Sequence, residues 1–350
     1  MKINFVSPQD SGGNKWRNWA MFFVLIIVLG GIGLSRIQIN KFVDFSSIQK
    51  KIAAEFDQTK VLSNKIDESV SEVGGDIVFE PVKLNIPVLS ASSIPLDPNS
   101  FGADCILAKD KETGTVLYRK NEYKEHPIAS ITKLMTALVL LEYNIDWVTT
   151  TIVIGPDLYG THMYAGDVYS LEDLWNAMLI GSSNKAALSL VESINGMEDE
   201  FVVRMNKRAM ELGMSDTTFT DVTGIEESNL STASDILLLL QEILKHEKIR
   251  NALATKDYNL YSEQRSKSHH MWNTNWLILD DPNPWISHSF DRVIGGKTGH
   301  ILAAGFNFTV EVEKDGHVID IVVFGANGNE ERFTEARDVG EWVFDNYIWE

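Results

Sequence analysis

Apolar positions change their rhythm several times along the chain, and each change marks an element. From Phe45 to Val73 they recur mostly at steps of three and four (Phe45, Ile48, Ile52, Phe56, Leu62, Ile66, Val70, Val73) with polar residues between. That is the period of an amphipathic helix, either a short coiled coil or a helix lying on the rest of the protein. Residues 86–98 are rich in Pro and Ser and read as an extended linker. Residues 103–108 and 116–118 are short apolar runs around the turn Lys111-Glu112-Thr113-Gly114, which predicts a hairpin. Helical spacing then predicts helices over 130–143, 170–179, 186–194, 200–212 and 236–244, with strand and loop signals at 151–170. Ser170 and Asp173 have the spacing of a capping box, and Ser231 to Asp235 cap the 236–244 helix. Strands return at 292–298, 305–312 and 318–324, and 330–347 closes as a helix. Terminal strands that embrace a helical middle predict an α/β sandwich: an antiparallel sheet with helices on its faces plus a helical lobe.

One stretch is too apolar for a globular helix. Trp19 to Leu34 is an unbroken run of about sixteen residues. At ~1.5 Å per residue it spans roughly 24 Å, somewhat short of a ~30 Å hydrocarbon core. Trp16 and Trp19 suit one interface, and Arg36 can snorkel at the other. Lys15 and Arg17 precede the run and predict a cytoplasmic N-terminus. The organisation expected is a cytoplasmic tail over 1–15, a single-pass membrane anchor over 16–37, a stalk and linker over 38–100, and an extracytoplasmic catalytic domain over 101–350. A cleaved signal peptide is the alternative, although no Ala-x-Ala site follows the run.

The formal charge is −18, and no basic stripe is visible, which argues against nucleic acid as a partner. The single cysteine, Cys105, lies in an apolar run and reads as a buried strand residue rather than a nucleophile. His269-His270 is the only adjacent histidine pair, and acidic or histidine partners at zinc-ligand spacing are missing, so no metal and no cofactor are expected.

Three short motifs carry the chemistry. Ser130 and Lys133 stand three apart where the 130–143 helix begins, which offers a nucleophile and a base on one helix face. Ser182 and Asn184 offer a hydroxyl and an amide at a helix–helix corner. Lys297-Thr298-Gly299 ends a strand and offers a cation, a hydroxyl and open backbone to a carboxylate. Alone, each is weak. Ser47/Lys50 and Ser182/Lys185 repeat the first spacing, Ser193/Asn195 repeats the second, and Ser-x-Asn also suits a plain helix N-cap. Together and in this order they are the active-site set of penicillin-binding proteins and related β-lactamases.

The stretch from Pro127 to Leu138 and the stretch from Gly295 to Asn307 resemble the serine D-alanyl-D-alanine carboxypeptidases, the low-molecular-mass penicillin-binding proteins. Weaker matches lie at 209–219, Gly224-Ile225, 231–235, Asn273-Thr274-Asn275 and Arg332-Phe333. The resemblance covers roughly 101–350. It implies a five-stranded antiparallel sheet, a peptidoglycan stem peptide ending in D-Ala-D-Ala as substrate, and β-lactams as inhibitors. It implies Ser130 as nucleophile and Lys133 as base, with Ser182 passing a proton under the guidance of Asn184. The backbone N–H groups of Ser130 and His300 would hold the oxyanion, and Lys297, Thr298 and Arg332 the terminal carboxylate. Three departures stand out. Lys185 replaces the acidic residue that usually follows the Ser-x-Asn asparagine, and would either add positive potential to the cleft or lie on an outward helix face. The segment 279–291 is long. The chain runs out after one closing helix, with no counterpart to the extra β-rich domain and C-terminal anchor of many members, and the N-terminal run is expected to anchor instead. A D,D-endopeptidase, a β-lactamase and a catalytically silent wall-binding protein are the competing readings. Against the β-lactamase, Glu226-Glu227-Ser228-Asn229 does not fit a Glu-x-x-Leu-Asn loop. Against the silent protein, Ser130, Lys133, Ser182 and Lys297 are all present.

Overall fold

In the computed structural model, residues 85–156, 163–196, 198–279 and 286–349 are described. The expected tail, membrane anchor and 45–73 helix lie outside them, as do residues 280–285 of the long 279–291 segment.

Alternation of period two builds the sheet. Strands β2 (Cys105–Asp110), β3 (Val116–Lys120), β10 (Arg292–Ile301), β11 (Gly305–Lys314) and β12 (His317–Ala326) pair antiparallel in the order β10-β11-β12-β2-β3. The five-stranded sheet that the resemblance implied is therefore present. Successive side chains go to opposite faces. Cys105, Leu107, Val322 and Phe324 join the core under the helical lobe, whereas Ile106, Ala108, Ile321 and Val323 join the core under the closing helix. With both faces covered, these strands read as nearly continuous apolar runs. Asp315 and Gly316 turn β11 into β12 with φ of 53° and 78°, the left-handed pair that a two-residue hairpin needs.

The helix carrying the first motif, α1 (Thr132–Leu140), is buried along its whole length. An apolar stripe round every face suits a helix wrapped by others. Around it pack α2 (Leu171–Leu179), α3 (Asn184–Asn195), α4 (Glu198–Glu211) and α5 (Ala233–Ile243). Ser170 and Asp173 form the expected capping box on α2, and Thr232 caps α5. Two small pairs flank the lobe, β4 (His126–Pro127) with β7 (Leu230–Ser231) and, in the 151–170 region, β5 (Thr150–Ile152) with β6 (Val168–Ser170). Two further pieces carried too little periodicity to be read: α6 (Glu247–Ala254) and the hairpin β8 (Asp257–Ser262) with β9 (Lys267–Trp272). The closing helix is α7 (Glu331–Asn346), whose Phe333, Ala336, Val339 and Val343 enter the second core.

Part of the expected linker is tied down. Strand β1 (Pro87–Leu89) pairs with β13 (Tyr347–Trp349), and Trp342 donates its indole N–H to Ile94 O at 3.0 Å. Among the described residues no helix is long and apolar enough to cross a membrane.

Candidate active site

Ser130 does not sit inside the helix proper. It lies in a 3₁₀ turn, Ala129–Ile131, that enters α1, and Ala129 before it has φ 49°. Lys133 is one turn later, fully buried. Its Nζ lies 2.8 Å from Ser130 Oγ, 2.6 Å from Asn184 Oδ1 and 2.6 Å from Thr223 O. Three acceptors surround the amine, and among the described residues no carboxylate touches it. Burial drives its pKa down to about 7, against the pull of the Asp221 charge. The neutral form, which a base requires, is thus populated near neutral pH.

Ser182 also has a left-handed backbone, φ 57°. Helix α3 starts only at Asn184, and its N-cap is Ser183, whose Oγ accepts from Ala186 N at 3.2 Å. Ser182 is thereby released from capping, and its hydroxyl accepts from Lys297 Nζ at 2.8 Å. The expected partnership of Ser182 with Asn184 is replaced. Asn184 turns to Lys133, and Lys297 holds Ser182. Lys297 is fully buried too. Burial first, then the Lys133 and Arg332 charges, hold its pKa well below the lysine range.

Lys297, Thr298 and Gly299 lie on β10, the edge strand of the sheet. Thr298 donates its hydroxyl proton to Thr274 Oγ1 at 2.7 Å. Gly299 packs against the nucleophile turn so tightly that a Cβ would lie 2.5 Å from Ile128 O and 3.3 Å from Ser130 N. The His300 imidazole is exposed, stacks on Phe306 at 4.1 Å and lies 2.8 Å from Gly305 O through Nδ1. Two hydroxyls, each held by a lysine amine, thus stand beside the free edge of a strand.

Over residues 92–328 the sequence matches the family of D-alanyl-D-alanine carboxypeptidases. The chain belongs to that family. The D-alanyl-D-alanine carboxypeptidase DacF of Bacillus subtilis is 32% identical over 248 residues, which cover 68% of this chain and 61% of DacF. A D-alanyl-D-alanine endopeptidase of Pseudomonas aeruginosa is 29% identical over 257 residues, 72% of this chain and 80% of that protein. Penicillin-binding protein D2 of Listeria monocytogenes, solved with cefotaxime bound, superposes with a TM-score of 0.60 at 26% identity, covering 72% of this chain and 100% of that one.

Within this carboxypeptidase-family chain the decoys separate cleanly. Lys185 Nζ bonds Met163 O at 3.1 Å, away from Ser182, because Ser182 precedes the helix rather than riding on it. Lys185 is also buried, which excludes an outward face, and the charge acting on Lys133 is that of Asp221. Ser193 bonds back to Leu190 O within its own helix. Ser47 lies outside the described residues. Cys105 is buried in β2, where burial pushes its thiol up to about 11, unfit for a nucleophile. His270 pairs across the β8–β9 hairpin with Asp257 at 3.2 Å.

Arg332 departs from its expected place. Its Nη1 bonds Gly299 O at 3.3 Å and Asn307 O at 3.5 Å, and Nη2 bonds Asn329 Oδ1. The guanidinium braces the carbonyl side of β10, and burial lowers its pKa to about 10. Two residues near the site escaped the sequence reading, Thr223 and Asp221, whereas Thr274 lay in one of the weaker family matches without an assigned role. Asp221-Val222-Thr223-Gly224 has the composition of an Asx-turn, which is the signal that would have found Thr223 and Asp221.

Proposed function

We propose that the protein is a serine-type D-Ala-D-Ala carboxypeptidase that trims the terminal D-Ala from peptidoglycan stem peptides through an acyl-enzyme. One observation carries the reading: Ser130 and Ser182 are each bonded at 2.8 Å to a buried lysine amine, Lys133 and Lys297, beside an edge strand. Ser130 Oγ attacks the carbonyl carbon of the penultimate D-Ala, and Lys133 takes its proton. The N–H groups of Ser130 and His300 hold the oxyanion. Ser182 gives a proton to the departing D-Ala nitrogen as the C–N bond breaks. Water then cleaves the ester and releases the shortened peptide. Lys297 and Thr298 receive the terminal carboxylate, with Arg332 adding positive potential behind the strand. That carboxylate supplies a counter-charge to Lys297, so substrate binding favours the lysine's charged form. A β-lactam acylates the same serine.

The first test supplies the full-length chain with a pentapeptide stem and assays free D-Ala. A labelled penicillin should attach to Ser130 alone, and a peptide map with the adduct on another serine would overturn the assignment. The same cluster would also cut cross-links between stems. The Pseudomonas endopeptidase, aligned over 80% of its length, favours this second reading. Comparing release rates from pentapeptides and cross-linked dimers separates the two.

The run from Trp19 to Leu34, with Lys15 and Arg17 before it, supports a single-pass anchor and an extracytoplasmic catalytic domain. Protease added to intact spheroplasts should digest the C-terminal domain. Full protection would contradict this topology.

A further inference from the structure

One contact of Lys133 comes from outside the three motifs. Thr223 O, which accepts from its Nζ at 2.6 Å, sits on a loop whose turn is gathered by Asp221, while Asn229 and Glu198 accept from Thr220 N and Val222 N beside it. Asp221 Oδ1 accepts from Thr223 N at 2.5 Å, Thr223 Oγ1 at 2.9 Å and Gly224 N at 2.5 Å. Its Oδ2 accepts from Glu226 N at 2.8 Å and Asn229 Nδ2 at 3.0 Å. All five donors are neutral, so the carboxylate keeps its full charge, and among the described residues no cation is bonded to it. The loop also presses on the nucleophile turn. Gly224 has φ 81°, and a Cβ there would lie 1.9 Å from Ala129 O.

We propose that Asp221 is a positioning residue for acylation, one that fixes the Thr223 carbonyl on Lys133 and supplies the negative charge against which the Lys133 ammonium forms. The inference rests on reading Lys133 as the base for Ser130. When Ser130 gives up its proton, a cation appears in a buried site that already holds Lys297 and, behind it, Arg332. The elements packed round the amine bring Ser130 from its own turn, Asn184 from α3, Lys297 from β10 and Arg332 from α7. Asp221, from the loop, is the anion that acts on the amine, and Glu198 from α4 lies on the far side of the loop, where it accepts from Val222 N at 3.3 Å. Burial works against the Asp221 carboxylate, but the N–H groups of Glu226, Thr223 and Gly224 outweigh it and hold its pKa below the ordinary range. The charge is therefore present wherever the enzyme works. The same carboxylate opposes the burial that depresses Lys133.

The test is the pH dependence of covalent labelling by a fluorescent penicillin, measured on the full-length chain and on Asp221→Asn, Asp221→Thr and Asp221→Glu. Threonine keeps a hydroxyl acceptor for the Thr223 N–H, so a neutral variant is available even if the asparagine amide disrupts the loop. In both neutral variants the midpoint of the rising limb should move down by about one pH unit, the low end of what one neighbouring charge does, with a lower plateau rate. The glutamate variant should keep the parent midpoint. A neutral variant that folds by circular dichroism and keeps the parent midpoint overturns the proposal, whatever its rate. So does failure of both neutral variants to fold, since the carboxylate would then serve only the loop. A parent that takes no label would strike at Ser130 and Lys133 themselves, which is a distinct result.

Discussion

Lys133 titrates at about 7, so its base form grows as pH rises through neutrality. Acylation of Ser130 by a penicillin should follow that limb, with its midpoint near 7 rather than near the ordinary lysine value of ~10.4. Stopped-flow labelling across pH 5 to 9 checks this, and a limb centred near 10 would show that burial does not set the base. Ser130→Ala should abolish labelling without unfolding the domain, because the residue is only partly buried and contributes one hydroxyl to the turn. Lys133→Ala should slow labelling by ~10²–10⁴-fold, the usual worth of general-base assistance. Ser193→Ala is the control. Its hydroxyl serves its own helix, and it should label like the parent.

At the scale of elements, the site exists because a strand and a 3₁₀ turn approach within contact distance. Gly299→Ala would place a methyl 2.5 Å from Ile128 O, a fixed backbone oxygen. The strand has to move, and a shift of ~1 Å at reacting atoms can cost ~10²-fold in rate. We expect that loss in labelling with the secondary structure intact. Rates within a few-fold of the parent would show that the turn yields instead. The α2 helix offers a contrasting case. Ser170→Ala removes the hydroxyl that accepts from Asp173 N at 3.0 Å. The expected cost is ~1 kcal/mol, a drop of ~2–4 °C in melting temperature, with the labelling rate little changed.

At the scale of the whole molecule, one buried pair ties the middle of the sheet to pH. Glu311 and Asp320 face each other across β11 and β12, both inaccessible to water. Lys111 bonds one oxygen of Glu311 at 2.5 Å, and Gln241 bonds one of Asp320 at 2.8 Å. Glu311 Oε1 and Asp320 Oδ1 find no other partner among the described residues, the arrangement of two carboxyls that share a proton. Burial, then the Glu311 charge, pushes Asp320 up to about 8. An acid that keeps its proton to higher pH when folded than when unfolded loses stability as pH rises. Its contribution is whole below the unfolded aspartate value of ~3.9 and gone above about 8. The melting temperature of Asp320→Asn should therefore fall less than that of the parent between pH 5 and 8. Parallel curves would mean that the pair holds no shared proton.

What the sequence determined by itself was whatever depends on local order. Short apolar runs bounded by turn residues gave β2, β3, β10, β11 and β12, helical spacing gave α1 to α5 and the closing α7, and the capping box at Ser170 was legible because all its atoms lie within one turn. The three motifs were legible for a related reason. Ser130 with Lys133, Ser182 with Asn184, and Lys297 with Thr298 each lie within four residues, and their order along the chain is itself information. The hairpin from Asp257 to Trp272 and the helix from Glu247 to Ala254 were not legible, since short half-exposed elements carry little periodicity. Only the tertiary structure decided who holds whom. Lys297 comes to Ser182 across 115 residues, and Lys133 finds Asn184 across 51 and Thr223 across 90. Spacing cannot report such distances, nor the left-handed backbone at Ser182 that turns its hydroxyl from helix cap to site. The low pKa of Lys133 is likewise tertiary, because the burial of a whole helix outweighs the opposing charge of one carboxylate on a loop.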